Sequence, residues 1–209
     1  MKKLCIFIPV YNQEKLVIRA LNSIPKRKDI EILIIDDAST DDTYKNCVEW
    51  ASNNKDLEII ICHLEENKGL GYVKNIAYEI ANGEYIHELD SDDYLIADEY
   101  EKVIDELDGT DMVYCDLEIN SGEIFPLTQD TQSTYCSGCA RFIKKEFIGE
   151  TRSPIIRATE DWYFNDLLQK KPHTDKFTRI VAYHYNFPRD GSLYDQYKKG
   201  EIVIDEVIW

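Results

Sequence analysis

Three carboxylates stand within four residues in the first half of the chain, which is an unusual density of negative charge. Asp90, Asp92 and Asp93 follow an apolar run, with Ser91 between the first two. Carboxylates held this close repel one another, and a bound hard cation such as Mg²⁺ or Mn²⁺ relieves that repulsion. The pattern therefore predicts a divalent-cation site that would in turn neutralise phosphates, although an ordinary solvated turn of an acidic protein fits it as well.

Two further polar groups follow apolar runs in the same way. Tyr11 and Asn12 come after the first run, and Asp36 and Asp37 end the second. Ligands of open parallel sheets bind beyond the carboxyl ends of the strands, so these positions favour a binding site over solvated turns. Neither acidic loop has the Gly and Glu that a calcium-binding loop needs at its sixth and twelfth positions.

Other motifs narrow the chemistry further. No GxGxxG follows the first run and no GxxxxGK[ST] occurs in the chain, so dinucleotide and P-loop sites are excluded. Glu160 and Asp161 begin a helical pattern in the second half. Acids at a helix start gain a few tenths to about 1 kcal/mol from the helix dipole, and this pair by itself indicates no more than that.

The elements that must position these residues alternate through the first half of the chain. Predicted strands are Leu4–Val10, Glu31–Asp36, Glu58–His63 and Glu84–Leu89, and predicted helices are Glu14–Ile24, Asp42–Asn53 and Leu70–Ala81. Next come a helix at Asp98–Leu107, a strand at Asp111–Asp116, a helix at Asp161–Lys170 and a strand-like run at Arg179–Phe187. This alternation predicts a single α/β domain over residues 1–209, with a mostly parallel sheet flanked by helices up to about residue 116 and a variable half from about 117.

Charge and hydropathy exclude several partners. The 209 residues carry 40 acidic and 24 basic side chains, a net charge of −16, which argues against nucleic acid as a partner. The apolar runs are far shorter than the roughly 18 residues of a membrane span. Short lysine pairs such as Lys144 and Lys145 allow peripheral membrane attachment at most. Six scattered cysteines are most simply read as thiols of a reducing cytoplasm.

With these motifs in place, the sequence resembles the family 2 glycosyltransferases, the large inverting group with the GT-A fold. The matching segments are Ile8 to Asn12, Ile34 to Asp41, Asn67 to Gly69 with Lys74 and Asn75, Leu89 to Asp93, and Thr159 to Asp161. The resemblance covers roughly residues 3 to 165. It implies a nucleotide-sugar-binding half up to about residue 116 and an acceptor-side half from about 117 to 209.

The resemblance also implies roles on the donor side. Tyr11 would stack on the nucleobase, and Asp37, or alternatively Asp36, would accept a hydrogen bond from a base imide N–H, which favours uracil. Asp92 would bind the metal directly, with Asp90 nearer the ribose and metal-bound water. Lys74 stands where the family usually has Arg and would pair with the diphosphate. The implied nucleotide-binding set is Pro9, Tyr11, Asn12, Glu14, Asp36, Asp37, Lys74, Asp90 and Ser91.

On the acceptor side, the resemblance makes Asp161 the general base. The implied reaction moves a sugar from a nucleotide-sugar donor, with a UDP-sugar favoured, to a saccharide or lipid-linked saccharide acceptor, as in cell-surface polysaccharide synthesis. The implied location is the cytoplasm, with possible peripheral contact at the inner face of the membrane. His184 stands where the family often shows Tyr, and a packed strand histidine is the simpler interpretation.

Two other functions compete with this one. A sugar nucleotidyltransferase shares the acidic strand ends but normally carries a Gly- and Arg/Lys-rich loop after its first strand, which is missing here. A catalytically silent sugar-nucleotide binding module would lack the metal aspartates or the base, and both are present. Cys136 and Cys139 form one CxxC pair, too few ligands for a structural zinc site, and are interpreted as coincidental.

Overall fold

A mixed sheet forms the centre of the computed structural model, which describes residues 1–129, 138–156, 159–191 and 193–200. Its strands are β1 (Lys2–Val10), β2 (Ile30–Asp36), β3 (Glu58–His63), β4 (Gly83–Glu88), β5 (Tyr94–Leu95), β6 (Met112–Ile119), β7 (Ile124–Phe125), β8 (Arg141–Lys144) and β9 (Asp175–Tyr185). Its helices are α1 (Val17–Asn22), α2 (Thr43–Asn53), α3 (Leu70–Ile80), α4 (Ala97–Asp105), α5 (Lys145–Ile148), α6 (Glu160–Gln169) and α7 (Leu193–Lys198).

Within these ranges the strand order is β3-β2-β1-β4-β8-β6-β9-β5, with β7 paired to β6. The first four strands of that order are parallel, as the alternation of runs and helices predicts. β8 is antiparallel to both of its neighbours, β4 and β6, whereas β9 runs parallel to β6. The predicted α/β fold with a mostly parallel sheet is confirmed, and one antiparallel strand joins its two parallel parts.

Burial explains why the parallel part forms. Every residue of β2 from Ile30 to Asp36 is buried, which is typical of a strand covered by other elements on both faces. Helix α3 places buried Val73 and Ala77 four residues apart, so one face of the helix packs on the sheet. Strands β1 and β2 therefore cannot move without disturbing the core, and the loops that follow them have fixed starting points.

Several predicted boundaries were wrong. The first helix is shorter than Glu14–Ile24, because the backbone N–H groups of Leu16 and Val17 bond to Gln13 in a turn before α1 begins. Strands β5, β7 and β8 have two to four residues each and are too short for a periodic pattern to reveal. No helix in the described ranges has the length and apolar character needed to cross a membrane.

Candidate functional site

The carboxyl ends of the central parallel strands lie at one edge of the sheet. Val10 of β1 pairs with Asp36 of β2, and Asp36 pairs with His63 of β3. Pro9 lies one residue earlier in β1, and Glu88 is the last residue of β4. The chain leaving β1, β2 and β4 therefore brings Tyr11, Asp37 and Asp90 to the same edge, where a ligand of an open α/β sheet binds.

The loops after β1 and β2 are joined by hydrogen bonds. The side-chain oxygen of Asn12 accepts a bond from the backbone N–H of Thr40 at 2.8 Å. The carboxylate of Glu14 accepts one from the backbone N–H of Asp42 at 3.3 Å. Tyr11 lies on this connected rim with 46% of its surface exposed. Asn12 and Glu14 thus order the rim, and the ring of Tyr11 offers a face for stacking.

Asp36 and Asp37 are both buried but have different partners. Asp36 Oδ2 lies 2.7 Å from Nδ1 of His63, while Asp36 Oδ1 has no hydrogen-bond partner. The two carboxylate oxygens of Asp37 accept bonds from the backbone N–H groups of Lys68 at 2.7 Å and Gly69 at 2.8 Å. Asp37 therefore anchors the loop before α3. Each carboxylate oxygen keeps a second lone pair that can accept a further hydrogen bond. A contact from Asp37 to a nucleobase is compatible with this geometry and stays a prediction.

Backbone strain is concentrated at the predicted motifs. Among the described residues, four that are not glycine have positive φ: Asn12 at 51°, Ala38 at 62°, Thr159 at 67° and Arg179 at 61°. Asn12, Ala38 and Thr159 lie in the loops after β1 and β2 and directly before α6. Residues other than glycine rarely adopt this backbone conformation, and where it persists it commonly marks a functional site.

In the acidic loop after β4, Asp93 is part of the core. Its carboxylate accepts hydrogen bonds from the Tyr183 hydroxyl at 2.7 Å and from the backbone N–H of Asn186 at 2.8 Å. Burial and the charge of Asp92 raise the pKa of Asp93 to about 7. Asp93 therefore connects the acidic loop to β9, so its role in the fold is visible without any ligand.

Asp92, the residue predicted to bind the metal, faces a cation of the chain itself. Its Oδ2 lies 2.7 Å from Nε of Arg189, and its backbone carbonyl accepts a hydrogen bond from Arg19. The neighbouring Ser91 is buried. Asp92 thus has a charged partner supplied by the segment after β9.

The donor groups suit a hard cation in part. Within the described residues, Asp90, Asp93 and Cys139 present ligand atoms within 4.8 Å of one another. Burial and the charges of Glu88, Asp93 and Asp92 raise the pKa of Asp90 well above its usual range, and a divalent cation would oppose that shift. The carboxylates fit Mg²⁺ or Mn²⁺ and the thiol does not. Asp90 belongs both to this group and to the predicted pair with Asp92, so it is the best-supported donor.

Helix α3 holds the segment that leads to Glu160 and Asp161. The Asn75 side chain donates to the carbonyl of Ser153 and accepts from its N–H, both at 2.8 Å. At Gly71 a side chain would meet the carbonyl oxygen of Pro154 at 2.1 Å, so only glycine allows this close approach. Further along, the ring of Tyr78 stacks on Phe164 of α6 at 4.9 Å. The position of α6 is therefore set by α3.

Lys74, on the same helix, lies among three carboxylates. Its Nζ is 3.2 Å from Oε2 of Glu88 and 3.2 Å from Oε1 of Glu160, and it also donates to Oδ1 of Asp161. Burial opposes the charged form, but the attraction of Asp161, Glu88 and Glu160 is stronger and raises the pKa of Lys74 well above its usual range. Burial also raises the pKa of Glu88 to about 7. The predicted diphosphate contact of Lys74 stays a prediction, since its observed partners are acids.

A cavity of about 300 Å³ opens beside these acids. Glu88, Asp90 and Asp161 line one part of it. Beside Gly138 and Cys139, the rest of the wall is formed by six apolar or aromatic side chains, namely Leu117, Ile119, Phe125, Leu127, Tyr185 and Phe187. Its volume is at the lower end of the range for small-molecule clefts. On one side of the cavity, carboxylates can hold a cation or accept a proton. On the other side, an apolar wall suits the face of a sugar ring.

Sequence reasoning missed three contributors to this site. Glu88 is an acid at the end of a buried strand, and that placement is the signal that could have identified it. The pairing of Arg189 and the approach of Cys139 to Asp90 have no local signal. His184 packs as the sequence suggests, with its ring stacked on Tyr94 at 4.2 Å.

Comparisons with known proteins place the chain among similar sequences. The model of the family described as "Glycosyl transferase family 2" matches residues 5–188. Over 103 residues, the chain is 39% identical to chondroitin synthase of Escherichia coli, covering 48% of this chain and 15% of that protein. Over 100 residues it is 37% identical to the poly(ribitol-phosphate) β-N-acetylglucosaminyltransferase TarS of Staphylococcus aureus, covering 46% and 17%. The matched part of the chain thus covers about a sixth of the length of these relatives.

Solved structures share the fold. TarS residues 1–349 in complex with UDP-GlcNAc superpose with a TM-score of 0.73 at 24% identity, covering 91% of this chain and 60% of that one. The mannosyltransferase PcManGT from Pyrobaculum calidifontis, in complex with GDP-Man and Mn²⁺, gives 0.73 at 19% identity, covering 90% and 58%. At these identities the likeness establishes a common architecture.

Proposed function

The chain belongs to glycosyltransferase family 2. We propose that it moves a sugar from a UDP-sugar to a hydroxyl of a saccharide or lipid-linked saccharide, with inversion, in cell-surface polysaccharide synthesis. The observation that carries the proposal is the common cavity lined by Asp90 and Asp161. The carboxylate of Asp90 follows β4, and that of Asp161 lies in the first turn of α6. A donor phosphate and an acceptor hydroxyl would meet between them.

Uracil is the proposed base of the donor. The exposed ring of Tyr11 offers a stacking face, and the free lone pairs of Asp37 suit the N–H of a base imide. The complexes of TarS with UDP and UDP-GlcNAc support a uridine nucleotide. The GDP-Man complex of the mannosyltransferase makes guanine the alternative to test.

Asp90 and Asp92 are the residues that we propose hold Mg²⁺ or Mn²⁺. A cation there would supply positive charge to the diphosphate that leaves the sugar. The Mn²⁺ complex of the mannosyltransferase supports this use of a metal. For Asp92 to serve, its carboxylate must turn from Arg189, which would release that guanidinium toward the phosphates.

Asp161 is the proposed general base. The acceptor hydroxyl gives its proton to the Asp161 carboxylate while its oxygen forms a bond to the anomeric carbon. The bond from that carbon to the diphosphate oxygen breaks, and the electron pair leaves with UDP. Attack from the face opposite the leaving group inverts the anomeric configuration.

The proposed place of action is the cytoplasm, with at most peripheral contact at the inner face of the membrane. Among the described residues, Cys5, Cys47, Cys62 and Cys115 carry free thiols, which supports a reducing compartment.

A calorimetric screen tests the donor and the metal together. UDP, GDP and CDP are titrated in Mn²⁺ and again in EDTA, and slow hydrolysis of UDP-sugars is followed by UDP release. We expect UDP to bind most tightly and only with Mn²⁺. The Asp92→Asn variant should lose most of this affinity, whereas Asp98→Asn, an exposed aspartate on α4, should not. Equal binding in EDTA would exclude the metal, and binding without any sugar release would favour a silent binding module.

A further inference from the structure

We propose that Lys74 is a positioning residue for the general base, holding the carboxylate of Asp161 in place from within α3 instead of binding the donor diphosphate. The inference rests on the proposed function, because it requires Asp161 to accept the proton of the acceptor hydroxyl. It assigns Lys74 to the acceptor side of the reaction.

The side chain of Lys74 is buried behind the wall of the cavity. Only 1% of its side chain is exposed, so a diphosphate at the edge of the sheet cannot reach it without displacing its neighbours. Glu88 and Asp161 line the cavity, and Lys74 lies behind them. A bound ligand would therefore touch the partners of Lys74 and not Lys74 itself.

The ammonium group of Lys74 already has carboxylate partners for its hydrogen-bond donors. A lysine side chain has three N–H donors. Three carboxylate groups surround its Nζ, from Glu88, Glu160 and Asp161. A phosphate oxygen would have to compete with these three carboxylates for the ammonium group. Lys74 is also the shared cation of these acids, and without it they would repel one another at close range.

The carboxylate of Asp161 is held by its surroundings but stays accessible. Lys74 donates to Oδ1 of this carboxylate, which leaves Oδ2 for an incoming hydroxyl. A side chain on Gly138 would approach Asp161 Oδ1 to 3.1 Å and Oδ2 to 3.3 Å, so the backbone at Gly138 packs against the same group. Asp161 is thus held from two sides but keeps 31% of its side chain exposed, as a base that must meet substrate requires.

The rest of α3 shows that this contact is part of a larger interface. Gly71 and Asn75 dock the segment around Ser153 and Pro154, and Lys74 lies on the same helix and contacts the first two residues of α6. The backbone contacts place the segment, and the charged contact orients the reactive group at its end. A displacement of about 1 Å at such a group can cost about 100-fold in rate.

The test compares Lys74→Met and Lys74→Arg with the parent chain. UDP affinity in Mn²⁺ is measured by calorimetry, and kcat and KM are measured for release of UDP from a UDP-sugar. We expect Lys74→Met to lower kcat by about 100-fold while UDP affinity and KM change by less than about threefold. Lys74→Arg keeps the positive charge and should restore most of the lost rate.

Two controls separate positioning from general loss of stability. Glu31 is a buried carboxylate at the start of β2, at the opposite end of the strand from Asp36. Its carboxylate accepts hydrogen bonds from the backbone and side chain of Asn82. Glu31→Gln should lower the melting temperature and leave kcat near the parental value. If Lys74→Met does not fold, the double variant Lys74→Met with Glu88→Gln removes one of the repelling acids and is measured in its place.

The outcomes are distinct. A tenfold or greater loss of UDP affinity in Lys74→Met would assign Lys74 to the diphosphate and overturn the inference, as would a kcat close to parental. The same kcat loss in Glu31→Gln would reduce the role of Lys74 to stability. If the parent chain itself neither binds UDP nor releases it from a UDP-sugar, it is the proposed function that fails.

Discussion

Arg189 Nε lies 2.7 Å from Oδ2 of Asp92, so the carboxylate expected to bind a divalent cation is neutralised by a guanidinium of the same chain. Both side chains are about three-quarters buried, with 25% and 22% exposed, which keeps the pair from being screened as a surface ion pair would be. A cation bound by Asp92 and the guanidinium of Arg189 therefore compete for one carboxylate.

Removal of Arg189 should strengthen the binding of metal alone. In Arg189→Met, Asp92 has no competing cation, and we expect Mn²⁺ to bind several-fold more tightly without nucleotide, as measured by calorimetry or by electron paramagnetic resonance. The matched control is Arg152→Met, since within the described part of the chain the guanidinium of Arg152 donates to the nearby backbone carbonyls of Gly149 and Thr151. Unchanged or weaker Mn²⁺ binding in Arg189→Met would show that the pair does not compete with metal.

The Asp161→Asn variant separates catalysis from binding. Loss of a general base typically lowers the rate by about 10²–10⁴-fold, and UDP affinity should stay near the parental value because Asp161 acts on the acceptor. An acid that only favours the start of α6 predicts a modest fall in melting temperature and nearly full turnover, because Asn also serves well near a helix start. Melting temperature, UDP affinity and transfer rate decide between these two results.

Base preference tests the role of Asp37 without altering the protein. Uracil presents an imide N–H to a carboxylate, whereas cytosine presents an unprotonated ring nitrogen and would set two acceptors against each other. The mismatch should cost CDP on the order of 1–3 kcal/mol relative to UDP in matched Mn²⁺. Tighter binding of CDP than of UDP would remove Asp37 from the base contact.

The buried His87 gives the fold a dependence on acid. Its Nε2 lies 2.7 Å from the carbonyl of Cys139, its Nδ1 lies 2.8 Å from the Tyr100 hydroxyl, and burial lowers its pKa to about 3. Between this value and the unfolded value near 6.5, the unfolded chain binds the proton and the folded chain does not. The contribution of neutral His87 to the free energy of unfolding is therefore fully present above about pH 6.5 and is lost as the pH falls toward 3.

Replacement of His87 should change this dependence in a known direction. His87→Gln should be less stable than the parent at pH 7.5, since two buried hydrogen bonds are disturbed. The stability gap should shrink by about 2 kcal/mol at pH 5, because only the parent pays the cost of keeping His87 neutral. Urea unfolding at the two pH values measures the gap. Groups such as Glu88 titrate in both proteins and cancel, so a constant gap would contradict the assigned pKa of His87.

The alternation of strands and helices was readable from the sequence because it depends on local periodicity. The apolar runs that became β1, β2 and β3 are bounded by polar residues, and Val73 and Ala77 mark one face of α3. The polar residues at the strand ends could also be placed on one edge, because parallel strands carry their carboxyl ends in the same direction. On this ground the sequence predicts that Tyr11, Asp37 and Asp90 lie together at one edge of the sheet.

The tertiary structure alone decided which charges meet. Lys74 and Glu160 are 86 positions apart in the chain, and no local pattern indicates that this lysine lies among three acids. The same holds for Arg189 beside Asp92, and for the antiparallel β8, whose four residues acquire their place only between β4 and β6. The physical reason is that an ion pair or a short strand is chosen by the packing that surrounds it, whereas strand and helix periodicity belongs to the segment itself.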